Sequence, residues 1–598
     1  MKALYKYAAI IAAAAMLSSC EDFLDSENLT QKTTANFPET EQDADEMLTS
    51  IYANLLFEDP EKSSQIFVAQ LAGDECLGGN LSSSGNCAVN FLLYKDNLNG
   101  YEDLWNRCYR LINRANNTLA TLGNVKDWSS AAEEQRHYGE AHFLRALAYY
   151  ELVQMFGGVP LRDTNEAINI PRNTVDEVYA LIASDLAAAI EELPAKIYPA
   201  GDAMAGHATR AAAQAYMARV FLFYTGRYGK DELPGGITKQ QVINWIDDCV
   251  YNSGHDLVPD QRTLWSYTND ATRTNDLGRS YAYADKYDLH WVGNSSIETV
   301  FALKHNLKSN WTYTWFSNTF CQFYSPSADN YSNVDSYPFG AGWGAGPVSP
   351  AFIKEWQDWA AQQQYIAGAT TDPRISGSVW SYKAMDPNED GNVLLDARLD
   401  DSEPLYTVSY RYFEQTGYHQ KKYININACE GSAIKPFSVV MYPGVTTQTS
   451  ASLTNISDYI LMRFADVLLM QSELKGDAEG LNRVRARSGL APVAYSLEAL
   501  KNERKYELAF EGTRYYDILR WSGPSLAEAG QLLNRQTGFN VINAAAIMPM
   551  PNYDYATRLQ KTQGYWQIPQ NEIDKSNGVL EQNEGWDVSG AFTDWTNM

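Results

Sequence analysis

The chain has 598 residues and a formal net charge of −26, with 73 Asp and Glu against 47 Lys and Arg. Neutralising a phosphate backbone needs a basic face, so nucleic-acid binding is disfavoured, and polyanionic ligands are weakly disfavoured with it. Beyond the N-terminal run described next, no stretch approaches the eighteen or so uninterrupted apolar residues of a membrane-spanning helix.

Lys2 and Lys6 make a positively charged start, and Ala8 to Leu17 is an apolar run too short to span a bilayer. Leu17-Ser18-Ser19-Cys20 follows and resembles the lipobox of bacterial lipoproteins. Residues 1–19 are therefore expected to be a signal peptide, Cys20 the lipidated N-terminus, and residues 20–44 a polar tether. Glu21, Asp22 and Asp25 resemble the acidic export signal that sends such lipoproteins to the cell surface. One acyl chain anchors only marginally, and the lipobox resemblance implies that Cys20 carries more than one. The later cysteines, Cys76, Cys87, Cys108, Cys249, Cys321 and Cys429, show no CxxC pair and no zinc-ligand spacing. Cys76 and Cys87 are close enough in sequence to form a disulfide, and buried thiols are the equal alternative.

Residues 45–255 read as helix after helix. In Tyr101 to Leu122, Leu104, Tyr109, Ile112 and Leu119 recur as one helical face requires. Ala131 to Phe156 forms a longer helix stopped by Gly157-Gly158 and Pro160. Asn173 or Thr174 caps the next, which closes at Leu193-Pro194. His207 to Thr225 carries Ala211, Ala215, Ala218 and Leu222 on one stripe, which allows close packing. The pattern predicts a mostly α fold, a scaffold of helix pairs like tetratricopeptide repeats, although no clean 34-residue repeat is present. Residues 256–455 lose helical periodicity and predict an irregular subdomain with short strands. Helices are predicted again at Tyr459–Glu473, Gly480–Arg487 and Leu497–Trp521, which place the rest of the scaffold at 456–530. The tail, 531–598, reads as mostly loop.

The irregular subdomain holds the strongest site signal. Residues 281–343 contain sixteen Phe, Tyr or Trp, about twice the chain's average density. Trp311, Tyr313 and Trp315 alternate, so a strand would set all three on one face. Sugar rings stack their CH faces on aromatics and need polar partners for their hydroxyls. Trp291, Trp311, Tyr313, Trp315 and Trp343 are the candidate stacking groups, and Asn310 a candidate hydroxyl partner; for any one aromatic, a place in the core is the alternative. The glycine-rich run Gly340 to Gly346 reads as a loop presenting Trp343. Asp386, Asn388 and Asp390 with Gly391 resemble the start of a calcium-binding loop, but position twelve is Ala397, so an acidic turn is the preferred reading. No other cofactor is indicated. No HExxH, P-loop or GxSxG signature is present.

The C-terminal helices carry a family resemblance. Tyr459-Ile-Leu-Met-Arg463-Phe-Ala-Asp466-Val-Leu-Leu and Leu481-Asn-Arg-Val-Arg485-Ala-Arg487-Ser-Gly-Leu490 resemble signatures of the SusD/RagB family. So do Glu503-Arg504, Glu507 to Gly512, Arg514, Asp517, Arg520-Trp521, and the closing Ile568-Pro569 to Trp586. Gly139 to Ala146 and Phe156 to Leu161 match in the N-terminal half. Trp586 stands where the family usually has Tyr, and the segment between Glu473 and Leu481 is short.

The resemblance implies a non-catalytic, surface-exposed lipoprotein of the outer membrane. It implies a SusC-like TonB-dependent transporter as partner and a glycan as ligand, with peptide ligands in some relatives. It also implies ligand contacts on loops, which adds Asp74 and Asn80 from residues 74–101 as hydroxyl partners. The signature residues themselves read as bracing: Arg463 with Asp466, Glu511 with Arg514, and Arg514 with Asp517 are spaced to pair on helices, with Gly512 inside one of them. A two-carboxylate glycoside hydrolase and a purely structural scaffold are the alternatives; incubation with a bound glycan separates the first, absence of any ligand the second.

Overall fold

The computed structural model describes residues 37–56, 63–77, 100–162, 169–273, 281–308, 316–325, 338–340, 342–366, 368–381, 416, 418–430, 433–436, 455–535, 540–543, 546–549 and 554–586. The N-terminal half is helical: α1 (Glu41–Tyr52), α2 (Gln65–Ala72), α3 (Glu102–Thr121), α4 (Ala131–Phe156), α5 (Val175–Glu192), α6 (Arg210–Tyr228) and α7 (Lys239–Asn252). Their ends are written in the sequence. Ser130 and Thr174 accept backbone N–H groups of the first turns of α4 and α5, and Glu177 returns the bond at Thr174 as a capping box. Thr40 and Asp43 do the same at α1, so the fold begins inside the stretch read as tether.

Consecutive helices pack on one another, α3 on α4, α4 on α5, α5 on α6 and α6 on α7. That neighbour-to-neighbour stacking is the geometry of helical repeats. Ala211, Ala215 and Ala218 are buried along α6, as their stripe predicts.

The middle of the chain contains short 3-10 turns, α8 (Ala282–Lys286), β1 (Thr299–Leu303), α9 (Thr319–Tyr324), α10 (Pro350–Ala361), α11 (Pro373–Ser378), β2 (Val379–Ser381), β3 (Tyr418–Gln420), β4 (Asn427–Glu430) and β5 (Ala433–Pro436). Then follow β6 (Tyr459–Arg463), α12 (Phe464–Lys475), α13 (Glu479–Arg487), α14 (Leu497–Glu507), α15 (Arg514–Ser522) and α16 (Ala527–Leu533). α12 meets α7 and α15 meets α6, so the C-terminal helices close the stack.

Two predicted helices are corrected. Tyr459–Arg463 is a strand, antiparallel to β1 with Leu303 opposite Tyr459, and the helix starts only at Phe464. The single helix predicted over Leu497–Trp521 is two. Between them Phe510 and Gly512 take φ of +64° and +73°. Gly512 therefore lies in a turn, and a Cβ there would come within 2.2 Å of Ile66 Cγ2. Only a residue without a Cβ lets α2 sit this close.

The described part of the tail carries four regular elements of its own. A hairpin of β7 (Asn540–Asn543) and β8 (Ala546–Pro549) is followed by α17 (Tyr555–Thr562) and α18 (Gln570–Lys575). Trp566, Ile568 and Trp586 enter the main core, and the Trp586 indole N–H donates to Tyr565 O at 2.8 Å. Its anchors are too sparse to show periodicity, which is why the sequence reads as loop. Cys76, Cys108, Cys249 and Cys321 are buried free thiols. Cys87 lies outside the described residues.

Candidate functional site

Trp343 is 50% exposed, the largest side chain among the exposed hydrophobic residues described. Its support is built from backbone. α9 ends beneath it with carbonyls that have no helical partner, and the loop 342–345 supplies the donors. Trp343 N donates to Gln322 O at 2.9 Å, Ala345 N to Phe323 O at 2.8 Å, and Gly344 N to Ser325 O at 2.7 Å. A Cβ on residue 342 would lie 2.3 Å from Gln322 O, so Gly342 is what allows the loop to lie flat on the helix end. The indole meets Phe323 edge-on, 4.6 Å between centroids. A large flat ring held this way presents a stacking face at little cost in side-chain entropy.

Polar groups fix the layer below. Ser325 Oγ donates to Cys321 O at 2.6 Å and accepts from Asn425 N at 2.7 Å. Asn425 Nδ2 donates to Gln322 Oε1 at 3.2 Å. The sequence reading missed Phe323, Gln322 and Asn425; the run Phe320-Cys-Gln-Phe-Tyr324 was the available signal, counted only as aromatic density.

The segment Asp74–Leu77 joins the same loop from the other side. Leu77 N donates to Pro347 O and Ser349 N to Glu75 O, both at 2.8 Å. Asp74, expected to meet ligand hydroxyls, is put to another use. It is buried, and Arg514 donates to both its oxygens, at 2.7 and 2.9 Å. Burial alone would raise its carboxyl, but Arg514 and Lys505 hold it well below the usual carboxylate range. Its neighbour Glu75 goes the opposite way: burial, with the Asp74 charge added, pushes it up to about 8. Glu75 Oε1 accepts Phe510 N at 3.2 Å.

Trp291 is tied to the 3-10 turn at Gln261–Leu264. It is partly buried against the core, its indole N–H donating to Leu264 O at 3.2 Å. The structure thus brings Trp343 and the Asp74 segment together through backbone and fastens Trp291 to Leu264. Cys20, Asn80, Asn310, Trp311, Tyr313, Trp315, Asp386, Asn388 and Asp390 lie outside the described residues. Among the described residues no group of three or more His, Cys, Asp or Glu could hold a metal ion, and no helix is long and apolar enough to cross a membrane.

The signature residues form a buried ionic lattice, with partners different from those their spacing suggests. Arg463, on β6, reaches Glu298 at 2.8 Å, Glu507 at 2.6 Å and Glu511 at 2.7 Å. Asp466 pairs with Arg219 at 2.6 Å and Arg504 at 2.5 Å, and Asp517 with Arg504 and Arg520. Arg514 pairs with Asp74 and not with Glu511 or Asp517. The i, i+3 expectation fails for Arg463–Asp466 and Glu511–Arg514 because each pair straddles the start of a helix; Arg514 and Asp517 share α15, but Asp74 takes the first and Arg504 with Arg520 the second. Carboxylates locked by guanidinium groups this way brace the scaffold and are poor general acids or bases.

A family model described as "Starch-binding associating with outer membrane" matches residues 22–222, and one described as "SusD family" matches residues 264–586. SusD-like protein P2 of Formosa agariphila is 25% identical over 582 residues, 92% of this chain and 94% of that protein. Among solved structures, a laminarin binding SusD-like protein superposes with a TM-score of 0.65 at 22% identity, over 92% of this chain and all of that one. The surface glycan-binding protein A from Bacteroides thetaiotaomicron, in complex with laminarihexaose, gives 0.64 at 18% identity, over 91% and 99%. At these identities the structural likeness speaks for the fold.

Proposed function

Since this chain belongs to the SusD family, we propose that it binds glycans without turnover and passes them, as a lipid-anchored outer-membrane protein, to a SusC-like TonB-dependent transporter. The observation that carries the binding reading is Trp343: a half-exposed indole pinned by three backbone hydrogen bonds at the end of α9. An oligosaccharide fits that surface because its ring faces are apolar and its edges are hydroxylated. The names of the relatives support a glycan ligand, since both solved structures named above are laminarin- or surface-glycan-binding proteins. None of the relatives compared carries an enzyme's name, and the buried carboxylates of the scaffold are occupied by arginines.

The anchor reading is supported by Leu17 to Cys20 and by a family model whose description includes outer-membrane association. The transporter is inferred from family membership. A glycan array probed with the protein lacking residues 1–19, followed by chromatography of each bound glycan after long incubation, tests the central reading. Binding with unchanged glycan supports it; reproducible cleavage overturns it. Extraction in mild detergent tests the rest: the wild-type chain should stay with the outer membrane and bring down a large TonB-dependent protein, and Cys20→Ala should be released.

A further inference from the structure

A second pocket, of about 30 Å³, lies where the helical scaffold meets β1, and its lining includes Thr209, His255, Lys304 and Asp458. The aromatic platform shares none of these residues. His255 is buried, and its Nδ1 lies 2.8 Å from Ile297 O. A carbonyl only accepts, so Nδ1 carries the proton and Nε2 carries the lone pair. That Nε2 is buried and has no hydrogen-bond partner. Burial holds the imidazole below its usual pKa, so the neutral form prevails.

Across the pocket lining, Lys304 Nζ donates to Asp458 Oδ2 at 2.7 Å and to Ser295 Oγ at 2.8 Å. Asp458 Oδ2 also accepts Ser295 N at 2.8 Å. An ammonium has three protons, so Lys304 keeps one.

The charges decide the ligand class. Lys304 and Asp458 cancel each other, which leaves no net charge to draw an anion. His207, His255 and Asp458 all line the pocket but form no metal-holding group among the described residues; His207 Nδ1 is engaged by Glu140 at 2.7 Å, and an ammonium beside the Asp458 carboxylate repels a cation. What remains is two acceptors, His255 Nε2 and Asp458 Oδ1, both buried and without a hydrogen-bond partner, and one donor, Nζ, in a volume that holds about two water-sized oxygens. Neighbouring hydroxyls on a sugar ring match that set: one O–H donates to Nε2, and the adjacent hydroxyl accepts from Lys304 and donates to Asp458 Oδ1.

We propose that the pocket formed by His255, Lys304 and Asp458 is a second saccharide site, taking a vicinal diol at the edge of a neutral sugar ring. It shares the ligand class of the platform, and its failure is separable from the platform's. The test is saturation-transfer difference NMR with millimolar D-glucose. The expected result is a glucose signal that persists in Trp343→Ala. In His255→Phe and, independently, in Lys304→Met, circular dichroism confirming the fold of each, affinity should fall about tenfold, the equivalent of one buried hydrogen bond. A signal abolished by Trp343→Ala assigns all binding to the platform and overturns the second site while leaving the platform reading intact. A signal unchanged in both pocket variants, or absent from the wild-type chain, overturns it as well.

Discussion

Asp74 and Arg514, 440 positions apart in the chain, meet in a two-pronged ion pair, Nε to Oδ1 at 2.7 Å and Nη2 to Oδ2 at 2.9 Å. The pair fastens the segment beneath the Trp343 loop to the first turn of α15. Asp74→Ala should leave the Arg514 charge buried and uncompensated, a loss of roughly 3–5 kcal/mol. Denaturant unfolding measures it, and Arg514→Met in the same chain should recover part of the loss. With its folded-state carboxyl held low, the pair's contribution is full above the ordinary Asp range and fades only as pH falls below it. A loss no larger than that of an exposed ion pair would contradict the buried geometry.

Glu75 predicts the opposite pH dependence. Its folded-state carboxyl is raised to about 8 from an ordinary 4.5, so the native chain holds a proton that the unfolded chain has released. Stability from this residue is full below pH 4.5 and is lost as pH rises toward 8. Glu75→Gln, which keeps an acceptor for Phe510 N, should remove that loss, about 1.4 kcal/mol for each unit across which the proton is retained. Urea midpoints of the two chains at pH 5 and pH 8 should converge at the lower pH and separate, with Gln the more stable, at the higher. Parallel curves would count against a protonated Glu75.

Gly512 predicts a steric failure. An alanine there meets Ile66 Cγ2 at 2.2 Å and must hold φ near +73°. Overpacking and left-handed backbone together should cost about 2–4 kcal/mol. Thermal unfolding of Gly512→Ala, with and without Ile66→Ala, checks both parts: the second substitution should relieve the packing share and leave the backbone share. A neutral Gly512→Ala would mean the turn is looser than described.

The helices were legible where a cap and a face coincided. Thr174 with Glu177 opens α5, and Gly157 follows the last residue of α4. β6 was not legible, because Tyr459-Ile-Leu-Met continues into an apolar helix and its partner strand lies about 160 residues away at Thr299–Leu303. The ionic lattice was foreseen as bracing, but its pairs were not. Spacing along one helix suggests neighbours, while Arg463 finds Glu298, 165 positions away. At the site, a glycine run presenting Trp343 could be read directly. The edge-on contact with Phe323 could not, since it depends on the loop folding back over α9. Asp74 was assigned to the ligand because the family resemblance implies ligand contacts on loops such as residues 74–101; its partner Arg514 stands in a different element.

The most direct measurement is calorimetric titration of the wild-type chain and Trp343→Ala with a glycan found on the array, circular dichroism confirming that both are folded. The account predicts saturable binding to the wild type, unchanged glycan afterwards, and a loss of about 1–3 kcal/mol in Trp343→Ala, the scale of stacking on one aromatic ring. Equal affinity of the two chains would place the glycan elsewhere, and cleavage of the glycan by the purified chain would contradict the account outright.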